Sequence, residues 1–314
     1  MSTNEKYPLG LPHAPNVVVD NHRLLHCIIN GVIDVKQEDP NIDVYTGWYR
    51  MVQDFTRRKM TYDADRLPAI AGLARKFATA VDDRYHAGLW RKDLLIGLLW
   101  HPVTRTTGKK NSNSRAPSWS WASVDCSISY SSIISAGYDS RHIPMSPLLR
   151  VIDVADLPTC ASYPFGTTSK ASLQLFGALI PTYKNENEHA DSEFSFSEQS
   201  INHTEDFGGW YTDDSDLHPS ADTPWYCLPV CVQHDPYDRG IRSDPEPFRR
   251  SWKRSLETGV DEYSRDNRVF ALILQAVKGK QDTFSRVGSC TIHPDKSVEI
   301  SRKCFRERQG LTII

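Results

Sequence analysis

The chain lacks any apolar run approaching the roughly 18 residues of a membrane-spanning helix, and Met1 to Pro15 has neither a basic start nor an apolar stretch. Neither a membrane span nor a secretory leader is therefore expected. Cysteine is sparse and odd in number, seven scattered from Cys27 to Cys304. That pattern excludes a disulfide framework and suits a reducing, cytoplasmic compartment, where the Asn202-His203-Thr204 sequon is without consequence. An excess of one charge is missing too. The 37 basic and 39 acidic residues nearly cancel, so neither a basic footprint for nucleic acid nor an acidic solvating tail is present. No Gly-x-Ser-x-Gly elbow and no phosphate-binding Gly-x-x-x-x-Gly-Lys-Ser/Thr loop occurs.

What the chain does have is aromatic weight. Eight tryptophans among 314 residues argue for a packed globular protein, since disordered chains are poor in such side chains. A chain of this length buries about three quarters of its unfolded surface and needs no metal or disulfide to fold. The densest aromatic signal is Ala116-Pro117-Ser118-Trp119-Ser120-Trp121-Ala122-Ser123. Read as a strand, it places Trp119 and Trp121 on one face and the small Ser118, Ser120 and Ala122 on the other, an anchor with room for close backbone approach.

Residues 1–44 read as an irregular, partly ordered segment, with an apolar stretch from Asp20 to Val35 whose period does not separate strand from helix. Residues 45–115 read as helical. Tyr45–Phe55 has Trp48, Met51, Val52 and Phe55 at helical spacing. Asp65–Val81 repeats apolar residues at Ile70, Leu73, Ala74, Phe77, Ala78 and Val81, with Asp65 as cap or first-turn acid. A third helix is expected over Leu89–Trp100, closed by His101-Pro102, before an exposed loop over Thr104–Arg115.

Residues 116–314 read as β-rich. Strands are expected at Trp119–Val124, Ser127–Ile134, Arg150–Val154, Ala171–Pro181, Trp225–Gln233, Val269–Val277, Phe284–His293 and Val298–Ser301, with a hairpin loop at Lys278–Asp282. Two stretches rich in Asp, Glu, Ser, Asn and Pro, about 182–222 and 234–262, read as long, partly disordered insertions. The expected fold is α+β: an N-terminal helical segment followed by a mostly antiparallel β-rich region.

Residues able to carry chemistry are few and scattered. Cys227 and Cys231, four apart on a strand, would point the same way, but no second ligand pair accompanies them, so they read as small core residues. The run Asp213-Asp214-Ser215-Asp216-Leu217-His218 lacks the glycine and final glutamate of a calcium loop and reads as a solvated acidic loop. Gly108-Lys109-Lys110 has no glycine cradle before it, and Arg57-Arg58-Lys59 reads as a solvated cluster near a helix end. His86, Asp93 and His101 flank the Leu-rich segment and would form a hydrolytic site only if folding brought them together. No catalytic, cofactor-binding or metal-binding residue is assigned, and no cofactor is expected.

Taken in order, the motifs resemble one family. Trp48-x-x-x-Val52-x-x-Phe55-Thr56-x-Arg58-x-Met60-Thr61 is followed by Asp65-x-Leu67-x-Ala69-Ile70-x-Gly72-Leu73-Ala74 and Tyr85-x-Ala87-Gly88-Leu89-Trp90. Leu98-Leu99-Trp100 and the Ala116–Ser123 motif come next, then Leu173-Gln174-Leu175-x-Gly177, Leu179-Ile180-Pro181, Tyr226-Cys227-Leu228-Pro229, Leu272-Ile273-Leu274 and Phe284-x-Arg286-Val287-Gly288. Over roughly residues 45–301 this series resembles the region that follows the HET domain in fungal heterokaryon-incompatibility proteins. The HET domain's own motifs, a Tyr-x-Trp-Gly-like strand end and a Trp-Ile-Asp-x-Leu-Cys-Ile-type strand, do not occur; His26-Cys27-Ile28-Ile29 lacks the preceding Trp and Asp. That domain is similar to TIR-type folds, some of which act on NAD, and no position here matches its functional residues.

The resemblance implies a non-catalytic accessory or interaction region serving nonself recognition and the cell-death response, truncated relative to family members. It also implies protein partners, including a HET domain in cis or trans; the charge balance and the lack of a long apolar run leave no nucleic-acid or membrane partner expected. The alternative is a stand-alone hydrolase built from the dispersed His and Asp residues. Either way Trp119 is read as an anchor, so Trp119→Ala is expected to lower stability by about 3–5 kcal/mol; an unchanged denaturation midpoint would show that the residue is not buried.

Overall fold

The structure is a computed structural model describing residues 26, 29–30, 44–62, 65–103, 116–130, 145–160, 162–184, 194–195, 207–213, 224–233, 268–292, 300, 303–304, 306 and 308–314, with residue 307 as a bend between the last two groups. The fold is α+β, with helices first and a large, mostly antiparallel sheet after them. The expectations for residues 104–115, 131–144, 214–218 and 234–262 lie outside the described residues, as does most of 20–35.

Two helices match their apolar periods. Helix α1 (Val44–Thr56) buries Trp48, Tyr49 and Val52, and α2 (Arg66–Val81) buries Leu67, Ile70, Ala74, Phe77 and Val81. Trp48, Phe77 and the later Trp90 meet with ring centroids 4.9–5.4 Å apart, the tilted and edge contacts that aromatic quadrupoles favour. Asp65 precedes α2 but makes no side-chain capping bond. The helix ends at Asp82 in a left-handed conformation (φ 50°). There Lys92 Nζ donates to the Asp82 carbonyl at 2.6 Å, placing a cation on the negative helix end. The neighbouring Asp83 carboxylate accepts from Tyr45 Oη, Arg84 N and Lys92 N.

The third expected helix is mostly absent. Tyr85–His86 (β1) and Leu89–Trp90 (β2) form a small hairpin, and only Leu94–Gly97 is helical (α3). The reason lies in the turn: Ala87 and Gly88 both have positive φ, 45° and 98°, as a two-residue turn of the type I′ hand requires. Repeated leucines fit a helix or a compact loop equally well, and here the turn decides. His101–Pro102 (β3) then pairs with Ile128–Ser129 (β4), inside the expected Ser127–Ile134, of which residues 131–134 lie outside the described residues.

The Ser-Trp-Ser-Trp segment is also not a strand. Ser120 N donates to Pro117 O, Ser123 N to Ser120 O, and Ala122 N to Ser120 Oγ. The result is a turn followed by one 3₁₀ turn at Trp121–Ser123 with Ser120 as its cap. Trp119 and Trp121 are nonetheless fully buried, so the expectation of anchoring holds while that of extended backbone does not.

The sheet contains Met145–Pro147 (β5), Arg150–Pro158 (β6), Thr168–Ala178 (β7), Ile180–Pro181 (β8), Phe207–Thr212 (β11), Trp225–Gln233 (β12), Arg268–Ala276 (β13), Thr283–Ile292 (β14) and Arg308–Ile313 (β15). Tyr183–Lys184 (β9) and Phe194–Ser195 (β10) pair apart from it. The order is β5-β12-β13-β14-β15-β7-β6, with β11 on β14 and β8 on β12. Because β7 runs into β8 and β8 pairs back onto β12, the strands β12, β13, β14, β15 and β7/β8 complete a closed circuit of hydrogen bonding. Among the described strand pairs only β14–β15 is parallel.

Alternate residues of the central strands enter two separate cores. Along β13, Phe270, Leu272 and Leu274 join the cluster that contains the helices, while Val269, Ala271 and Ile273 join a second cluster. Burial on both faces explains the unbroken apolar run Val269–Leu274. The second cluster includes Ile300 and Cys304, both helical, so the strand expected at Val298–Ser301 is not formed at Ile300.

A bulge between Pro229 and Cys231 overturns the reading of the two cysteines: Cys227 belongs to the second cluster and Cys231 to the first. The polar insertion 182–222 is corrected as well, since it contributes β11 to the sheet. At Gly288 an added Cβ would lie 2.3 Å from the Tyr211 carbonyl oxygen, so the close approach of β11 to β14 requires glycine there.

Candidate functional site

The most distinctive polar arrangement centres on Arg286, fully buried in β14. On one edge of β14, β15 pairs with Thr283 and Phe284 and β11 pairs with residues from Gly288 onward. Arg286 sits in the interval between them. Its backbone N–H, with no strand partner on that edge, donates to Ser118 Oγ at 3.0 Å, and Ser118 N and Oγ donate to the Ile314 carbonyl. The first serine of the aromatic motif thus closes a gap in the sheet.

The Arg286 side chain runs the other way, into the helical layer. Nε donates to Asp213 Oδ2 at 3.0 Å and Nη2 to Asp213 Oδ1 at 3.3 Å. Nη1 donates to Leu98 O at 2.6 Å and Nη2 to Trp100 O at 2.5 Å. The guanidinium carbon stands 3.4 Å from the centre of the Trp100 ring. Carbonyls just past the end of α3 are left without helical donors, and a planar multi-donor cation suits them. Burial pulls the Arg286 pKa below its ordinary value, and Asp213 opposes that shift. Asp213, read from sequence as part of a solvated acidic loop, is completely buried. With Nε, Nη1 and Nη2 all donating to Asp213 or to backbone carbonyls, this arrangement is suited to holding elements together.

A second polar knot lies at the β1–β2 turn. Ser120 Oγ donates to Ala87 O at 2.6 Å, and the indole N–H groups of Trp48 and Trp121 both donate to Gly88 O, at 3.3 and 3.1 Å. A Cβ on Gly88 would fall 2.4 Å from Trp121 Nε1. The opposite bonds of Ser118 and Ser120 therefore tie the aromatic motif to the sheet and to the helical layer at once.

The dispersed His and Asp candidates have separate partners. His86 Nδ1 lies 3.0 Å from Asp156 Oδ1 on β6, and His86 Nε2 is buried without a hydrogen-bond partner among the described residues. Asp93 accepts from Tyr49 Oη. His101 Nδ1 lies 3.0 Å from Pro102 O, and its ring stacks on Tyr211 at 4.1 Å. The His86–Asp156 pair is the arrangement of a base and its orienter, but Nε2 is enclosed, so a substrate would have to displace protein atoms to reach it. Sequence reasoning left Asp156 unmentioned, placed Asp213 in a solvated acidic loop and quoted Arg286 only within the motif series, with no structural role for any of the three.

Burial pushes the Cys231 and Cys304 thiols up to about 12 and raises Cys227 well above the ordinary thiol range, where Cys290 adds to the effect. Such thiols are poor nucleophiles and poor ligands. Among the described residues no group of three or more His, Cys, Asp or Glu is placed to hold a metal ion, and no helix is long and apolar enough to cross a membrane. Arg57, Arg58 and Lys59 are exposed, and Arg57 pairs with Asp54 at 3.4 Å.

The fold and its polar knots define an α+β protein whose helices pack on one face of a closed circuit of strands. Comparison of the chain with protein-family models, curated proteins and solved structures gives no match.

His101 gives the arrangement a pH signature. Burial, with Arg286 nearby, lowers its pKa below the ordinary 6.5 even though Pro102 O favours the charged form. A base whose folded pKa is depressed contributes its full stability above the unfolded value and loses it as pH falls through the folded one. Stability is therefore expected to drop as pH falls below about 6.5, and His101→Gln to flatten that part of the profile. Parallel profiles for the two proteins, from urea midpoints across this range, would contradict the assignment.

Proposed function

We propose that the chain is a non-catalytic accessory and interaction region of a heterokaryon-incompatibility-type protein, acting in the cytoplasm in fungal nonself recognition and the cell-death response. The observation carrying this reading is where the motif residues lie. Trp48, Val52, Ile70, Ala74, Leu89, Trp90, Leu98, Trp100, Trp119, Trp121, Leu173, Leu175, Leu228, Leu272 and Leu274 all belong to one buried cluster. Ile180, Cys227, Ile273 and Val287 of the same motifs line the second cluster. A motif series given over mainly to core positions is what a structural platform needs, whereas a hydrolase would be marked by polar residues meeting in a cleft. The groups with chemical potential support the same reading, because each is engaged with a different structural partner.

The partner is a HET domain, in cis or in trans, and the face offered to it is the outer strand β6 with its hairpin. Ile152, Leu157 and Tyr163, at 49, 60 and 64 % exposure, are three of the five exposed large apolar side chains among the described residues. Their position at a sheet edge suits protein contact more than solvation. The His86–Asp156 pair favours a second reading, a hydrolase using His86 as base.

Calorimetric titration of the chain with a separately expressed fungal HET domain separates the two. The interaction reading expects saturable 1:1 binding, weakened at least about tenfold by Leu157→Asp with Ile152→Asp, and unaffected by His86→Gln. Absence of binding, together with an ester- or amide-hydrolysing activity abolished by His86→Gln, would overturn it in favour of the hydrolase.

A further inference from the structure

The circuit of strands has one joint built differently from the rest. Strand β15 pairs with β7 over its whole length, Arg308↔Ala178 through Ile313↔Leu173, but with β14 only at Thr312↔Thr283 and Ile313↔Phe284. By contrast, β13 pairs along nearly all of β14 and of β12. Two side chains of β15, Leu311 and Ile313, are buried in the first cluster beside Leu173, Leu175 and Phe284, whereas Gln309 and Gly310 are exposed. An added Cβ on Gly310 would meet nothing within 4 Å. What closes the joint beyond its two pairs is Ser118 rather than strand: its Oγ occupies the Arg286 N–H, and its Oγ and backbone N–H both hold the Ile314 carbonyl.

We propose that the interval between β7 and β14 is a strand-exchange site, filled at rest by residues 308–313 and able to accept the same segment from a second copy of the chain. The long edge of β7 offers a full antiparallel ladder, which fixes backbone affinity without regard to sequence. The two apolar positions opposite Leu173 and Leu175 supply selectivity, as in strand addition generally. A second copy carries a segment that satisfies both demands by identity. Release breaks the six-pair ladder to β7 together with the two-pair seam to β14, and leaves the β12–β13–β14 ladders intact. Segments that open below the global unfolding barrier are those with short ladders, and β15 is laddered along its length on the β7 side alone, whereas β13 is laddered along both sides. This inference stands apart from the heterokaryon-incompatibility reading and survives its failure.

The probe is a fluorescent peptide with the sequence of residues 308–314, added to the intact 314-residue chain. Saturable binding is expected, and a peptide carrying Leu311→Asp and Ile313→Asp is expected not to bind. Ser118→Ala, which removes the side-chain latch, should speed peptide uptake roughly five- to tenfold, the factor for one hydrogen bond of ordinary strength. Hydrogen exchange on the unaltered chain gives a reading independent of how that variant folds: amides 309–313 should exchange at least about tenfold faster than those of β13. Equal binding of both peptides, binding of neither, or exchange of β15 only in step with β13 would overturn the proposal.

Discussion

The ion pair between Arg286 and Asp213 is the constraint around which the rest is arranged. Both side chains are completely buried, and each is contributed by a sheet segment, yet the guanidinium also reaches the carbonyls of Leu98 and Trp100 in the helical layer. A buried charge without partners is costly enough to unfold a domain, and removal of one partner from such a pair typically costs about 3–5 kcal/mol. The pair therefore sets conditions on three separate stretches of chain. Strand β11 has to end so that Asp213 turns inward, the loop after α3 has to present its carbonyls, and Trp100 has to lie flat against the guanidinium. Arginine suits this position because its donors form a fixed plane; lysine, a single point of charge, would leave carbonyls unsatisfied.

The aromatic motif performs the complementary task. Its serines are not simply small: Ser118 completes the edge of β14 and Ser120 holds the Ala87 carbonyl. Its tryptophans are not simply greasy, for Trp121 shares the Gly88 carbonyl with Trp48. The strained turn at Ala87, a buried alanine with positive φ, persists because several bonds over-determine it. The platform proposed for incompatibility signalling is over-determined at this centre; partner contact is placed at the outer strand β6 and strand exchange at β15, which makes only two pairs with β14.

Sequence patterns revealed the parts of the fold that local physics controls. The 3.6-residue period found α1 and α2, apolar strand patterning found β7, β12, β13 and β14, and Lys278–Asp282 read correctly as a hairpin turn because glycine and polar residues separate two apolar runs. Parts governed by distant partners were not legible. Leu89–Trp100 has the composition of a helix, but a two-residue turn and the demand of Arg286 for carbonyls reshape it. The alternation in Ser-Trp-Ser-Trp suits a strand equally well, until the serine side chains capture the backbone. Asp213 stands in an acidic run that looks solvated, and nothing local marks its pairing with a residue 73 positions away. Likewise the same-side expectation for Cys227 and Cys231 failed on one inserted residue in β12, a bulge that shifts every later side chain to the opposite face.

A double-mutant cycle tests the central claim most directly. Stability is measured by urea unfolding for the unaltered chain, Arg286→Met, Asp213→Leu and the double variant. If the buried pair couples sheet and helical layer, each single substitution is severely destabilising and the double variant is less damaging than their sum by at least about 2 kcal/mol. Additivity within about 0.5 kcal/mol would show that the two residues act independently, and that the structure does not depend on their pairing.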